Sequence, residues 1–303
     1  MIRLLPNRDR LANLAESNKL DPATDYWQIH RLTVQDFQFE MNLGHRTAFF
    51  RTYASPTIAE LLAHTGHLLH DTYKRGLDTA LFIFEFIECG LDAPRSRALL
   101  RRLNGMHRRY RISNDDYLYV LSTFAVIPVR LITRYGWRQL SPAEVDATHR
   151  FYADLGRRMG IHNIPDSYQT MAQFLDDYEA SRFAHTPSGE ALMNAITGVI
   201  TDRKSRLTRP MARWTISYLL DDRTRSALAV VAPPAPGRLM VEAYLRSQAA
   251  VQRRQPPPAS WFTSGGPQDI YPDGYSVNDL GPTEKPAAPH TSSSTRDQLL
   301  RRW

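Results

Sequence analysis

Arg101-Arg102-Leu103-Asn104-Gly105-Met106-His107-Arg108-Arg109-Tyr110-Arg111 holds one imidazole among apolar neighbours. At 3.6 residues per turn, Leu99, Leu100, Leu103, Met106, His107 and Tyr110 share one side of a helix, and the five arginines fall mostly off it. Such an imidazole has two uses. It can be a core histidine whose ring nitrogens find ordinary partners, or it can give one neutral nitrogen to the iron of a buried prosthetic group. Residue type and spacing leave both open.

Two other groups could carry chemistry. Glu60, His64, His67 and His70 lie on one short stretch, and Glu60 with His64 has the i, i+4 separation of two metal ligands. Residues three apart drift by about sixty degrees per step around a helix, however, and no second acidic or histidine pair answers them from another helix. The paired Glu-x-x-His words of a di-iron bundle are missing, so these histidines read as surface residues. Arg75 and Thr79, four apart, share a face with Asp78 beside them; in isolation Arg75 and Asp78 read as a surface ion pair. The single cysteine, Cys89, excludes an intrachain disulfide and any cysteine-rich zinc or iron-sulfur site. There is no phosphate-binding glycine loop, no nucleophile elbow and no dinucleotide fingerprint.

The elements that must position these groups are helices. Asp25 to Thr47 predicts a short helix leading into an irregular segment. Ser55-Pro56 starts a helix over Thr57 to about His70, and an apolar helix runs from Lys74 to Cys89. The histidine helix spans Ala93-Pro94 to around Ile112. Ser113 caps the next, which reaches Tyr135 and which Pro128 should kink or split. Ser141-Pro142-Ala143-Glu144 is a capping box opening a helix to about Met159. Further amphipathic patterns cover Ser167 to Ala184, Glu190 to Ile200, Arg209 to Leu219, Thr224 to Val231 and Gly237 to Val251, and no strand series appears. The expected fold is all-α: one globular multi-helix domain over 23–252, after an N-terminal extension of residues 1–22. An irregular Pro/Gly/Ser-rich tail follows over 253–303, expected to be mobile from about 283, with Trp261 and Tyr271 to Gly281 able to pack on the body.

With 303 residues and 42% hydrophobic content, a sizeable core can be buried. Thirty-eight Lys plus Arg against 31 Asp plus Glu give a net charge of +7, almost all of the basic charge being arginine, which suits carboxylates and phosphates alike. No export signal is seen. The best apolar run, Ala80 to Leu91, is short and contains Glu85 and Glu88, so the reading is a cytoplasmic protein with at most peripheral membrane contact.

Several long words resemble one known family. They are Phe50-Arg-Thr-Tyr-Ala-Ser-Pro-Thr-Ile-Ala-Glu-Leu-Leu, Lys74-Arg75-Gly-Leu-Asp78-Thr79, Arg111-Ile-Ser-Asn-Asp-Asp-Tyr-Leu-Tyr-Val-Leu-Ser-Thr-Phe, and Pro128-Val-Arg-Leu-Ile with Arg134-Tyr-Gly-Trp-Arg138. Arg209-Pro210, Leu219 to Leu228 and Tyr271 to Gly281 follow in order. From about Phe49 to Gly281 the chain is similar to the MpaB-type oxygenases, whose catalytic domain is shared with the rubber oxygenase latex clearing protein.

That resemblance implies a heme b-dependent oxygenase that uses dioxygen to cleave a carbon-carbon double bond in a hydrophobic, isoprenoid substrate. It implies His107 as the axial iron ligand, with Arg101, Arg102 or Arg108 reaching the heme propionates. It implies Arg75, Thr79 and Glu60 as active-site residues, and sets Asp78 where rubber oxygenases carry a lysine able to cap the iron, so that closed-state gating should differ. Phe82, Phe84 and Phe86 would suit a greasy substrate or simply fill the core. The rival readings are a heme-binding or redox-sensing protein of the same fold without cleavage activity, and a basic helical module binding nucleic acid through Arg95 to Arg111.

Overall fold

Helix starts fall where the capping residues stand. The side chains of Ser113, Ser141, Ser167, Thr186 and Asp221 each accept the backbone N–H three residues on, and Pro56, Pro94, Pro142 and Pro187 open their helices. The computed structural model describes residues 8–255 and 270–282. Trp261 and the stretch expected to be mobile from about 283 lie outside the described residues. A 3-10 turn at Arg8–Leu11 precedes α1 (Ala12–Ser17), α2 (Tyr26–Asp36), α3 (Gln38–Thr52), α4 (Pro56–Thr65), α5 (His67–His70), α6 (Thr72–Cys89) and α7 (Pro94–His107). Then come α8 (Asn114–Tyr135), α9 (Pro142–Arg158), α10 (Tyr168–Arg182), α11 (Pro187–Asp202), α12 (Arg209–Leu219), α13 (Asp222–Ala227) and α14 (Ala235–Gln252), with a last 3-10 turn at Val277–Asp279. No strand occurs among the described residues.

Helix α8 is the axis. It packs along α3, against α9 and α10, and its C-terminal end meets α14. Its apolar residues Leu118, Leu121, Ala125, Val126 and Ile132 sit at the centre of a core closed by Phe37, Met41, Phe82, Phe86, Phe151 and Met171. By length and composition α8 could cross a membrane, a property the sequence reading assigned at best to Ala80 to Leu91; 67% of its apolar window is buried inside the fold. Pro128 neither splits nor ends α8. At that proline α3 offers Gly44, where a Cβ would stand 2.5 Å from Pro128 Cα, so the two helices touch backbone to ring.

Elsewhere the chain departs from the expected boundaries for local reasons. Asp25 to Thr47 forms two helices: α3 is buried on nearly every side, through Glu40, Met41, His45, Ala48, Phe50 and Arg51, so it shows no amphipathic stripe. The helix expected over Thr57 to His70 breaks at Gly66, whose φ of +70° only glycine adopts cheaply. Helix α7 ends at His107, five residues short of Ile112.

Two predictions follow from this packing. Gly44→Ala should cost about 1–3 kcal/mol by overpacking, read as a fall in the urea midpoint at constant slope. Burial holds His30 at about 3 and His45 at about 4, against an ordinary 6.5. Both are neutral in the fold and gain a proton on unfolding, so their contribution is complete above pH 6.5 and declines on acidification toward about 4. Between pH 6.5 and about 5 each should cost about 2 kcal/mol. Denaturation of the wild type and a His30→Asn, His45→Gln variant at both pH values isolates this slope from that of the buried carboxyls Asp36 and Glu40, which burial raises and which titrate the other way.

Candidate functional site

Between α4, α6, α7 and α8 lies a cavity of about 510 Å³, floored by Tyr152 and Leu155 of α9 and by Met159 just past its end. Its walls are mostly apolar, and its volume falls in the roughly 300–1,000 Å³ span of small-molecule and cofactor sites. Helix α6 presents Arg75, Thr79, Phe82, Ile83 and Phe86, a spacing that forms one stripe. Helix α8 adds Tyr117, Val120, Leu121 and Phe124. Phe84 turns away from the cavity, edge-on to His45.

His107, the last residue of α7, puts its ring on the cavity wall with Leu103 and Met106. Its Nδ1 is buried without a hydrogen-bond partner, and the Tyr117 ring meets it edge-on at 5.4 Å. Burial, reinforced by the charge of Arg75, pushes the imidazole down to about 4, so it is neutral at ordinary pH. One ring nitrogen of buried His30, His45 and His149 is likewise unpaired, but each of those rings hydrogen-bonds through its other nitrogen, to Thr148, Tyr152 or the Pro165 carbonyl, and none of the three lines the cavity. A neutral imidazole on a cavity wall, screened from water, has the donor chemistry of an iron ligand, and the residues present fit a flat apolar prosthetic group.

The other sequence candidates separate. Arg75 and Thr79 both line the cavity; the Thr79 hydroxyl donates to the Arg75 carbonyl at 3.0 Å. Glu60 is exposed, because α4 turns Ile58, Leu61, Leu62 and Thr65 inward. Arg101 and Arg108 are exposed, and Arg102 donates to the Leu280 carbonyl at 2.5 Å; the arginines that line the cavity are Arg75 and Arg111. His64 and His70 are exposed while His67 lines the cavity, and no cluster able to hold a bare metal ion occurs among the described residues. Cys89 faces the Glu85 carboxyl, and burial pushes its thiol up, which suits inert packing.

Asp78 faces away from the cavity and is completely buried. It accepts from the Tyr271 hydroxyl at 2.5 Å, from Lys74 at 2.7 Å and from the Gly281 N–H at 2.9 Å. Two turns further along α6, buried Glu85 accepts from the Tyr275 hydroxyl at 2.7 Å and from Arg95. The segment 270–282 is thus a strap tied to α6 and α7, with Lys74 and Arg95 over the rings of Tyr271 and Tyr275. Gly281, at φ +100°, lies against the Met106 sulfur, where a Cβ would collide, and Pro282 joins the cavity lining. The rank of tyrosines in Tyr271 to Gly281 was the only sequence signal for this strap; its carboxylate partners sit some 190 residues away in the chain.

Two further features escaped the sequence reading. Tyr152 at the cavity floor shares a 2.9 Å hydrogen bond with buried His45. Asp116, at the N-terminus of α8, lines the cavity together with Thr57, which donates to it at 3.0 Å.

Residues 40–254 match the family model described as ER-bound oxygenase mpaB/B'/Rubber oxygenase, catalytic domain. ER-bound oxygenase mpaB' of Penicillium brevicompactum is 29% identical over 271 residues, 84% of this chain and 63% of that protein, so the chain spans less than two thirds of that relative. ER-bound oxygenase mpaB of Penicillium roqueforti is 28% identical over 245 residues, 75% of this chain and 80% of that one. The solved structure of latex clearing protein LCP in the closed state superposes with a TM-score of 0.54, covering 84% of this chain and 71% of that chain at 16% identity, a likeness of fold.

Asp78→Ala should free the strap. With three donors left facing a buried void, the cost should be about 3 kcal/mol. Hydrogen exchange should show the amides of 271–281 losing protection well before those of α8; unchanged protection of 271–281 would refute the tether.

Proposed function

This chain belongs to the family of ER-bound oxygenase mpaB/B' and rubber oxygenase catalytic domains, and from that premise we propose that it is a heme-dependent oxygenase acting on a hydrophobic, isoprenoid substrate. One observation carries the reading: a neutral His107 imidazole with a partnerless buried nitrogen stands on the wall of a largely apolar cavity. In it His107 would hold the heme iron and Arg111 on the same wall would pair with an acidic side arm of the macrocycle. When bound, the heme supplies the activation of dioxygen; adding both oxygen atoms across a carbon-carbon double bond gives two carbonyl ends.

The chain's own residues do the rest. The Arg75 guanidinium puts a fixed positive charge and N–H donors on the cavity wall, where negative charge developing on oxygen would be stabilised. The Thr79 proton is committed to the helix backbone, so its oxygen faces the cavity as an acceptor. Phe82, Ile83, Phe86, Val120 and Phe124 exclude water and orient an apolar chain. Glu60 on the solvent side of α4 takes no part in this reading, and Asp78 contributes by holding the strap that brings Pro282 to the cavity lining.

Purified protein should carry a Soret band that is lost in His107→Ala and kept in His64→Ala and His67→Ala. Aerobic incubation with a polyprenyl substrate should give trapped aldehyde or ketone products, and Arg75→Ala should slow turnover by about 10²–10³ with the Soret band intact. A band that persists undiminished in His107→Ala refutes the ligand; a heme-loaded protein with no carbonyl product refutes the reaction.

A further inference from the structure

Behind the cavity wall stands a pair of tyrosines with more polar support than packing requires. Asp116 uses both carboxylate oxygens: one accepts from Thr57 and the other from the Tyr178 hydroxyl. Tyr178, buried in α10, also meets the Ser55 hydroxyl at 2.9 Å. Its ring stacks on that of Tyr119, with centroids 4.1 Å apart and planes within 5°. Tyr119 is wholly buried and donates to Glu179 at 3.2 Å, and Arg51 forks onto the same carboxylate. Each phenol therefore has a carboxylate acceptor, and the first of those carboxylates lines the cavity.

We propose that Tyr178 is a redox-active tyrosine that drains oxidising equivalents from the cavity, with Asp116 as its proton acceptor. The Tyr178 O–H bond breaks, its proton bonds to the Asp116 carboxylate, and one electron leaves for a one-electron oxidant derived from dioxygen or peroxide in the cavity. The products are a neutral phenoxyl radical and a neutral carboxylic acid. The stacked Tyr119 ring shares the electron hole.

Electrostatics selects this tyrosine over Tyr152, which lies on the cavity floor itself. Oxidising Tyr152 with proton transfer to His45 would create an imidazolium in a fully buried place, where burial already holds that ring at about 4. Oxidising Tyr178 takes its pair from one negative charge to none, a change that a low-dielectric surrounding favours. The role in turnover rests on the oxygen-using reading above; the redox activity of the pair does not.

The test is photochemical and needs no bound cofactor. A ring-difluorinated tyrosine is installed at position 178 of the full chain, which is flash-oxidised with tris(bipyridine)ruthenium(III) and freeze-quenched for EPR. A fluorine-split radical signal is expected at 178, lost in the isosteric Asp116→Asn and kept in Thr57→Val, which retains the carboxylate. Thermal melts confirm that the variants are folded. The same label at exposed Tyr244 should give a signal indifferent to Asp116→Asn. Absence of a fluorine-split signal at 178, or its survival undiminished in Asp116→Asn, overturns the proposal. Absence of a Soret band from the wild-type protein, or its persistence in His107→Ala, would instead strike the heme reading and leave this result standing.

Discussion

Two helices can cross this closely only where one of them has no side chain. At the crossing of α3 and α8, Gly44 lies against Pro128, and the interior is set by that approach. A proline inside a helix removes one backbone donor and crowds the preceding turn. Here the neighbouring helix fills the irregularity, so α8 continues unbroken to Tyr135. Because α8 runs through the centre, its N-terminal half can give one face to the core and another to the cavity. Tyr117, Val120, Leu121 and Phe124 line that cavity, while Tyr119 and Ser122 face the opposite interior.

Burial of polar groups follows a consistent pattern around this axis. Most buried carboxylates are paired with a cation: Asp36 and Glu144 with Arg138, Glu179 with Arg51, Asp78 with Lys74, Glu85 with Arg95, whereas buried Glu40 accepts from the Gln252 amide. Replacing any one partner would strand the other in a medium that solvates it poorly. His107 is the exception on the cavity wall, a ring whose Nδ1 has no partner at all. Its neutrality follows from burial and from the positive charge of Arg75, so the residue that would help oxygen chemistry also keeps the imidazole available as a ligand.

The strap extends the same logic to the edge of the site. A stretch rich in proline, glycine and polar residues cannot bury enough apolar area to order itself. It is ordered here by two carboxylates of α6, which fix Tyr271, Tyr275 and Gly281 and bring Pro282 to the cavity. Asp78 thereby serves the cavity from behind its wall.

The sequence by itself determined the helical class and most helix starts, because caps, prolines and 3.6-residue periodicity are local rules that need no tertiary partner; periodicity put His107 on an apolar face and Arg75 with Thr79 on a shared one, while the roles expected of them came from the family words alone. It also brought the family words together in order, which a gapped alignment of residues can do without coordinates. It misjudged α3, whose burial on all sides erases any stripe, and the extent of α7, whose end at His107 no cap announces. Only the tertiary structure decided which arginines line the cavity, that Glu60 faces solvent, that Asp78 holds the strap, and that Asp116, Tyr178 and Tyr119 form one connected set. Those are matters of the direction in which a side chain leaves its helix relative to elements up to some 200 residues away, and periodicity fixes a face without saying what that face will meet.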